Sequence, residues 1–479
     1  MTAARGVNPH CPGHDAPALT RRDFLRRTNL GFGMLAFGGL ATRWAAADAP
    51  ALLPHYAPKA KHVIFLFMDG GVSHIDSFDP KPELDKRHGQ QADWVADKGS
   101  QAISPSRKWL KSPWAFKQHG ESGLWVSDLF PHAAKVIDDL CIVRSVVGET
   151  PLHGAQNLLL HTGRSIGAAP SIGAWVSYGL GTENENLPGY VLLNNDWVPN
   201  GGSQNFASSW LPATHEAAVV RAKGTPVDNI APSDPIAIQR AKLDFLRAQD
   251  SAMAADRGNA DIIEAAIQNY ETAAAMQMLV PELCDVSGES EATLRLYGVD
   301  RPDDFDRFYA LQCLRARRLV EAGVRFVEIT CPLTHNNNAP WDQHGELKLR
   351  HEENARITDQ PVAALIMDLK ARGLLDDTLV LWAGEMGRTP HSGGDDGRDH
   401  HVSGYTIWMA GGGVRGGMTY GETDEMGMSA VENIVDIHDI HATILHQLGM
   451  DHERLTYRFG GRDMRLTDVH GRVIRPILA

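Results

Sequence analysis

The chain has 479 residues, of which 43% are hydrophobic and 22% are charged, and these proportions are typical of a soluble globular protein with a large core. Its 46 basic and 59 acidic residues give a formal net charge of -13. Because no basic stripe is interleaved with aromatic residues, we expect no nucleic-acid partner.

The first segment of the chain predicts export. TRRDFLR at 20–26 resembles the twin-arginine motif, an apolar run follows at 30–41, and AAA at 45–47 is a candidate cleavage site. The apolar run is too short to span a bilayer permanently, so we expect no stable membrane anchor. The sequence therefore predicts a twin-arginine signal peptide over 1–47, the twin-arginine translocase as a partner during export, and a periplasmic or extracellular domain over 48–479.

Six short apolar runs predict strands in the exported part. They are continuous rather than alternating, as is typical of strands that are buried on both faces. The runs are VIFLFM at 63, CIVRSVV at 141, YVLLN at 190, VRFVEIT at 324, TLVLWAG at 378 and YTIWMAG at 405. Helical patterns lie between them, so the sequence predicts an α/β fold with three α/β/α layers around a mainly parallel central sheet.

Other segments predict smaller features. One helix is expected to start at Pro361 and to end near Gly373, and another helix is expected from Asp439. Residues 200–300 are Ala-rich and mostly helical in pattern, which predicts a helical insertion or cap. The tail at 465–478 predicts a small hairpin.

Asp69 follows the first predicted strand directly, and Gly70 and Gly71 come next. An ionised carboxylate at the end of a buried strand needs a cation or several hydrogen-bond donors. In mainly parallel sheets, ligands gather outside the carboxyl ends of the strands. Two interpretations stay open for Asp69, a metal ligand or the cap of the next helix.

Carboxylates and imidazoles stand near the ends of three other predicted strands. They are His335, Asp342 and His344 after VRFVEIT, Glu385 after TLVLWAG, and Asp399 and His400 before YTIWMAG. Oxygen and nitrogen ligands of this kind predict a site for one or two divalent ions, which we take to be zinc, manganese, calcium or magnesium.

These segments resemble, in order, an exported bacterial family called domain of unknown function 1501. The resemblance lies in GGVSHIDSFDPKP, WDQHGE, GEMGRTP, GRDHH, MAGGGVRGG and DIHATILHQLG. That family looks like a branch of the alkaline phosphatase and sulfatase superfamily. The resemblance implies an alkaline-phosphatase-like fold and a metal-dependent hydrolase, with a small-molecule or glycan phosphate or sulfate ester as its substrate.

The resemblance also implies metal-ligand roles for Asp69, Glu385 and His400. Asp69 matches the first ligand aspartate, and Glu385 takes the place of the carboxylate at the end of a later strand. The residue after Glu385 is Met386, where the superfamily has its next ligand, and a thioether is a poor ligand for a hard cation. Asp342 and His344 match an Asp and His pair that is more widely spaced in the superfamily.

The nucleophile position also differs. In the superfamily, a Thr, Ser or modified Cys precedes a Thr-Gly pair by nine positions, and the same count from Thr162 leads to His153. His153 is therefore predicted as a nucleophile, a base that activates metal-bound water, or a metal ligand. Arg388 is predicted to contact an anionic ester oxygen. Because two chemical positions have changed, the alternative is a catalytically altered member that keeps the metal site and binds a glycan or a partner.

Overall fold

The structure is a computed structural model. It describes residues 54–92, 107–195, 197–227, 234–257, 260–334, 339–392 and 396–479. The predicted signal peptide and His335 lie outside these ranges.

A nine-stranded mixed sheet forms the centre of the described chain. Its strands are β1 His62–Phe67, β2 Leu140–Val147, β3 Tyr190–Asn194, β4 Ala218–Arg221, β5 Phe326–Thr330, β6 Thr378–Ala383, β7 Tyr405–Ala410, β8 Met418–Tyr420 and β9 Val435–Asp436. Their order is β8-β2-β7-β6-β1-β5-β3-β4, and β9 also pairs with β2. Only β7 pairs antiparallel, with β2 and β6. The six predicted strands and the mainly parallel sheet are confirmed.

Nine α-helices occur in the part of the chain that the structure describes. They are α1 Pro82–Arg87, α2 His153–Thr162, α3 Ile172–Leu180, α4 Ile236–Arg257, α5 Ala260–Cys284, α6 Glu291–Tyr297, α7 Asp304–Glu321, α8 Leu347–Ala371 and α9 Ile437–Gln447. Two-stranded ribbons pair Phe116–His119 with Leu124–Ser127, Tyr457–Phe459 with Arg462–Met464, Gly387–Arg388 with His400–His401, Lys108–Trp109 with His391–Ser392, and Glu422–Thr423 with Ala430–Glu432.

Helices cover both faces of the sheet. Along β1, Val63, Phe65 and Phe67 belong to one buried cluster, together with residues of α2, α3 and α9. Ile64 and Leu66 belong to the other cluster, together with residues of α7 and α8. Each strand of the sheet interior is therefore buried on both sides, and the predicted three-layer α/β/α fold is confirmed.

Two local predictions are wrong. Helix α8 begins at Leu347, so Pro361 lies inside it, where the packing of a long buried face against α7 outweighs the one hydrogen bond that a proline removes. The tail over 465–478 forms no hairpin. There the backbone N–H of Arg472 donates to Asp439 of α9 at 2.6 Å, and the N–H of Ile474 donates to Thr443 at 2.9 Å.

The predicted helical insertion contains α4 and α5, but β4 at Ala218–Arg221 extends the central sheet from within the same range. The boundaries over 48–479 and 200–300 stay predictions. Across the described residues, no helix combines the length and the apolar character that a membrane crossing requires.

The topology brings the predicted site residues to one edge of the sheet. Strands β1, β5 and β6 are parallel, so their carboxyl ends meet there, and the antiparallel β7 starts at the same edge. Gly70 has φ of +109° there, and a Cβ on it would lie 2.6 Å from the backbone nitrogen of Trp341. Gly70 therefore lets the loop that carries Asp342 pack closely over the end of β1, and Gly71 gives the same room to Met386.

Candidate metal centre

Asp342 lies at the centre of a cluster of three imidazoles. Its Oδ1 is 3.1 Å from Nε2 of His344, 3.1 Å from Nε2 of His400 and 3.3 Å from Nε2 of His153. Burial opposes the charge of this carboxyl, but the contacts with the three histidines and the nearby charge of Arg388 hold its pKa well below the usual range. Asp342 is therefore an ionised acceptor that needs positive charge around it.

Each imidazole is held through its other nitrogen. The Nδ1 of His153 is 2.5 Å from Oε1 of Glu385, the Nδ1 of His344 is 3.0 Å from Oδ1 of Asp399, and the Nδ1 of His400 is 2.6 Å from the carbonyl oxygen of Pro151. A carboxylate or carbonyl only accepts hydrogen bonds, so each Nδ1 carries the proton. In a neutral ring, Nε2 then offers its lone pair towards Asp342.

The protonation of the three rings differs. Burial lowers the pKa of His400. Burial also opposes charge on His153, but its contacts with Asp342 and Glu385 raise its pKa to about 9. Contacts with Asp342 and Asp399 raise the pKa of His344 to about 9. Without a metal, protons on His153 and His344 supply the positive charge that Asp342 requires.

Three groups meet the spacing of a metal site. One ligand atom each from His153, Asp342 and His400 lies within 4.8 Å of the others, and among the described residues this is the one such group of three. The Nε2 of His153 is buried and lies 3.3 Å from Oδ1 of Asp342 without the geometry of a hydrogen bond. A buried nitrogen whose hydrogen bond is not made is costly, so this set of donors fits a bound cation. His344 lies beside the set, with Nε2 3.0 Å from Nε2 of His400.

The local sequence explains how these groups meet. Helix α2 starts at His153, just after β2 and a short turn, and so aims its first side chain at the site. The ribbon of Gly387–Arg388 and His400–His401 pairs Arg388 with His400. The guanidinium of Arg388 in turn donates to Asp342 at 2.7 Å.

Glu385 and Asp399, which were predicted as metal ligands, lie behind the imidazoles. Both oxygens of Glu385 accept from the backbone nitrogen of Gly70, at 3.1 and 3.0 Å, in addition to the contact with His153. Asp399 also accepts from Arg107. In this arrangement the two carboxylates orient His153 and His344, which is how carboxylates commonly support metal-bound histidines.

Asp69 is buried beside this cluster and lies outside the group of three. Its carboxylate accepts from Nδ2 of Asn157 and from Nε1 of Trp197, both at 3.0 Å. Burial and the charge of Glu385 raise its pKa to about 7. Sequence reasoning missed Asn157, although it lies one helical turn after His153 on α2, and it missed Trp197, for which we find no sequence signal.

Arg388 is fully buried, and its guanidinium donates to Asp342 and to the backbone oxygens of Gly70, Gly71 and Arg398. These bonds fix the loop after β1 to the loop that carries Asp342. Contact of Arg388 with an ester stays a prediction. In the structure, the guanidinium of Arg388 holds the carboxylate of Asp342 in position.

The chain resembles several solved structures at low identity. These include phosphonate monoester hydrolase SpPMH from Silicibacter pomeroyi (12% identity, 87% of this chain and 76% of that chain, TM-score 0.37). They also include PsFucS1 sulfatase from Pseudoalteromonas sp. (13%, 88% and 72%, TM-score 0.31) and alkaline phosphatase from the Antarctic bacterium TAB5 (10%, 81% and 98%, TM-score 0.33). Because all three TM-scores are low, no residue role is carried over from these proteins.

No curated protein sequence matches the chain. A family model described as "Protein of unknown function (DUF1501)" matches residues 60–478, which is nearly all of the predicted exported part. The resemblance in the motifs at the sheet edge is thereby confirmed, and the chain belongs to the DUF1501 family.

Proposed function

We propose that the protein is a metal-dependent hydrolase of phosphate or sulfate esters. The observation that supports this most directly is the convergence of His153, His400 and Asp342, whose donor atoms lie within 4.8 Å of one another. The rings of His153 and His400 each have Nδ1 tied to an acceptor, so Nε2 is the atom available to a metal.

The donors are two imidazole nitrogens and one carboxylate oxygen, with a third imidazole beside them. Imidazole nitrogens suit zinc, whereas manganese, calcium and magnesium favour oxygen ligands, so zinc fits this set of donors best among the four ions. A divalent ion held there would act as a Lewis acid and lower the pKa of a bound water. Three protein ligands would leave a coordination position open, as in catalytic zinc sites.

His344 is the group of the cluster that faces outwards, because 46% of its side chain is exposed. Its Nδ1 is held by Asp399, and its Nε2 lies beside His400 and Asp342. We assign His344 the transfer of a proton to the leaving group, with Asp399 fixing the ring. His153 is then a metal ligand rather than a nucleophile, since both of its nitrogens are directed at carboxylates of the site.

The ester class comes from the motif resemblance in GEMGRTP and GRDHH rather than from the geometry. A second candidate is a binding protein that keeps the metal without turnover. It is favoured by Met386, which is buried and packs on Gly71, where a Cβ would lie 2.9 Å from its Cγ. At the position where the superfamily resemblance leads us to expect a metal ligand, this chain therefore has the Met386 side chain packed in the interior.

The two candidates are separated by metal analysis of the purified protein, followed by assays with aryl phosphate, phosphodiester and aryl sulfate substrates. Asp342→Asn should lose the metal and turnover together. His344→Gln should retain the metal and lose turnover by about 10² to 10⁴-fold, the range for removal of a proton-transfer group. His88→Gln, an exposed histidine on another segment, serves as the control.

Bound metal with no turnover on any ester would favour the binding protein. Absence of bound zinc or manganese after dialysis against either ion would contradict the proposed site. For localisation, we propose export by the twin-arginine translocase to the periplasm or beyond. Replacing both arginines of the motif, Arg21→Lys and Arg22→Lys, should retain the protein in the cytoplasm of a bacterial host.

A further inference from the structure

A cavity lies away from the candidate metal centre. It has a volume of about 390 Å³ and is bounded by α3, the loop before β3, the faces of β3 and β4, and helix α5. None of the residues discussed at the metal centre lines it. A cavity of this volume falls within the range of small-molecule sites.

The wall of this cavity is mostly apolar, and two of its polar residues contact each other. Apolar side chains come from Leu187, Leu192, Phe206 and Met276. The two polar residues that contact each other are Ser177 of α3 and His215, with 3.0 Å between Ser177 Oγ and His215 Nδ1. A few convergent polar groups in an apolar cavity are the usual means of orienting a bound molecule.

The charges around the cavity limit what it binds. Glu185 and Glu216 are among its lining residues, and the described residues that line it include no lysine or arginine. Burial lowers the pKa of His215 to about 4, so the ring is neutral near pH 7. An anionic molecule would be repelled by the two carboxylates and would meet no positive charge from the described lining. A neutral molecule is not repelled in this way.

The serine and histidine pair suits a hydroxyl group. A neutral imidazole has one donor and one acceptor nitrogen, and Nδ1 is used by Ser177. The hydroxyl of Ser177 and the Nε2 of His215 remain for a guest, and a guest hydroxyl can donate or accept with either tautomer. We propose that this cavity binds a neutral, mostly apolar small molecule through a hydroxyl group that meets Ser177 and His215.

The test compares three probes of one shape, 2-naphthol, naphthalene and 2-naphthoate, on the mature full chain by equilibrium titration. 2-Naphthol should bind saturably and about tenfold more tightly than 2-naphthoate. His215→Phe keeps a ring of similar size and should weaken 2-naphthol about fivefold to tenfold, while it leaves naphthalene unchanged, because only a hydrogen bond is lost.

Met276→Trp should abolish binding of all three probes by filling the cavity, and Leu349→Trp, at an exposed position of α8, is its control. If Met276→Trp is not folded by circular dichroism, Ala218→Leu takes its place. Equal affinity for 2-naphthoate, unchanged binding in the filled variant, or no saturable binding up to about 1 mM would overturn the proposal. Titrations with and without a chelator should agree, so the result does not depend on the metal centre.

Discussion

At the scale of single residues, the candidate centre depends on pairs in which an acceptor fixes an imidazole. Glu385 is completely buried and contacts Nδ1 of His153 at 2.5 Å, while its other contacts are with the backbone of Gly70. A carboxylate in this position sets the tautomer of the ring and raises its basicity as a ligand. A carboxylate at Nε2 of His153, such as Asp342, can therefore share a metal with the ring. A carboxylate at Nδ1, such as Glu385, supports the ring from behind.

Glu385→Gln should reduce metal affinity by about 10 to 100-fold, because the amide keeps the size of the side chain and loses the charge behind His153. The measurement is a competitive zinc titration against a chromogenic chelator. Asp436→Asn is a matched control, since Asp436 contacts Nδ1 of His438 at 2.6 Å outside the site. Equal losses in both variants would indicate a general effect of removing a carboxylate beside a histidine rather than support of a metal ligand.

A second residue makes a prediction about pH. Asp359 of α8 is buried, and this burial raises its pKa to about 7 although the backbone nitrogens of His132 and Ala133 donate to it at 2.6 and 2.8 Å. In the unfolded chain the carboxyl has its ordinary pKa near 4, so between about pH 4 and pH 7 the folded state binds more protons than the unfolded state. Its contribution to the free energy of unfolding therefore falls as pH rises through this window, by at most about 4 kcal/mol.

Asp359→Asn removes this titration, so the variant should gain stability relative to the unmodified protein as pH rises from 4.5 to 7.5. Urea unfolding at both pH values measures the difference, and Asp128→Asn, at an exposed carboxyl, should follow the unmodified protein. Parallel pH dependence of Asp359→Asn and the unmodified protein would show that Asp359 ionises alike in both states.

At the scale of elements, the sequence predicts a strand correctly where the whole strand is buried on both faces. The six longest strands are continuous apolar runs. Because β1, β5 and β6 are parallel, Asp69, Glu385 and the loop with Asp342 meet at one edge of the sheet. Strand β4 was missed because AVVR alternates buried and exposed residues at the sheet edge, and β8 and β9 have three and two residues. Which groups point at one another depends on side-chain directions across four loops, and no local pattern encodes these.

The turn after β1 and the loop before β7 are joined by a buried ion pair. The guanidinium of Arg398 donates to both oxygens of Asp76, from Nε at 2.6 Å and from Nη2 at 3.1 Å, and both side chains are fully buried. The backbone nitrogen of Arg398 also donates to Gln343 O, between Asp342 and His344. This pair therefore holds together two of the loops that carry the candidate ligands.

Asp76→Asn should lower the free energy of unfolding by about 3 to 5 kcal/mol, because it leaves a buried guanidinium without its counter-charge. It should also weaken metal binding, since His400 lies two residues after Arg398. Chemical denaturation and zinc titration measure the two effects. Glu83→Gln, which removes a surface pair with Arg87, is the control and should change neither. A destabilised variant with undiminished zinc affinity would show that this ion pair stabilises the fold without supporting the metal centre.

At the scale of the whole molecule, buried apolar clusters stabilise the fold, and the candidate metal centre lies at the edge of the sheet where the parallel strands end. Two large buried clusters pack on opposite faces of the sheet, and neither needs a cation to bury its apolar surface. In the metal-free state, Asp342 also has the guanidinium of Arg388 and protonated histidines as partners. The protein therefore differs from small domains that fold only around a metal.

We accordingly expect the chelator-treated protein to stay folded, with an unchanged far-ultraviolet circular dichroism spectrum. Zinc or manganese should then raise the free energy of unfolding by about 2.7 kcal/mol when the free ion is at a hundred times its Kd, because it binds the folded chain alone. In Asp342→Asn this increase should vanish, whereas His88→Gln should retain it. Loss of helical signal on chelation would instead mean that the ion holds the three layers together, and an equal increase in Asp342→Asn would place the stabilising ion elsewhere.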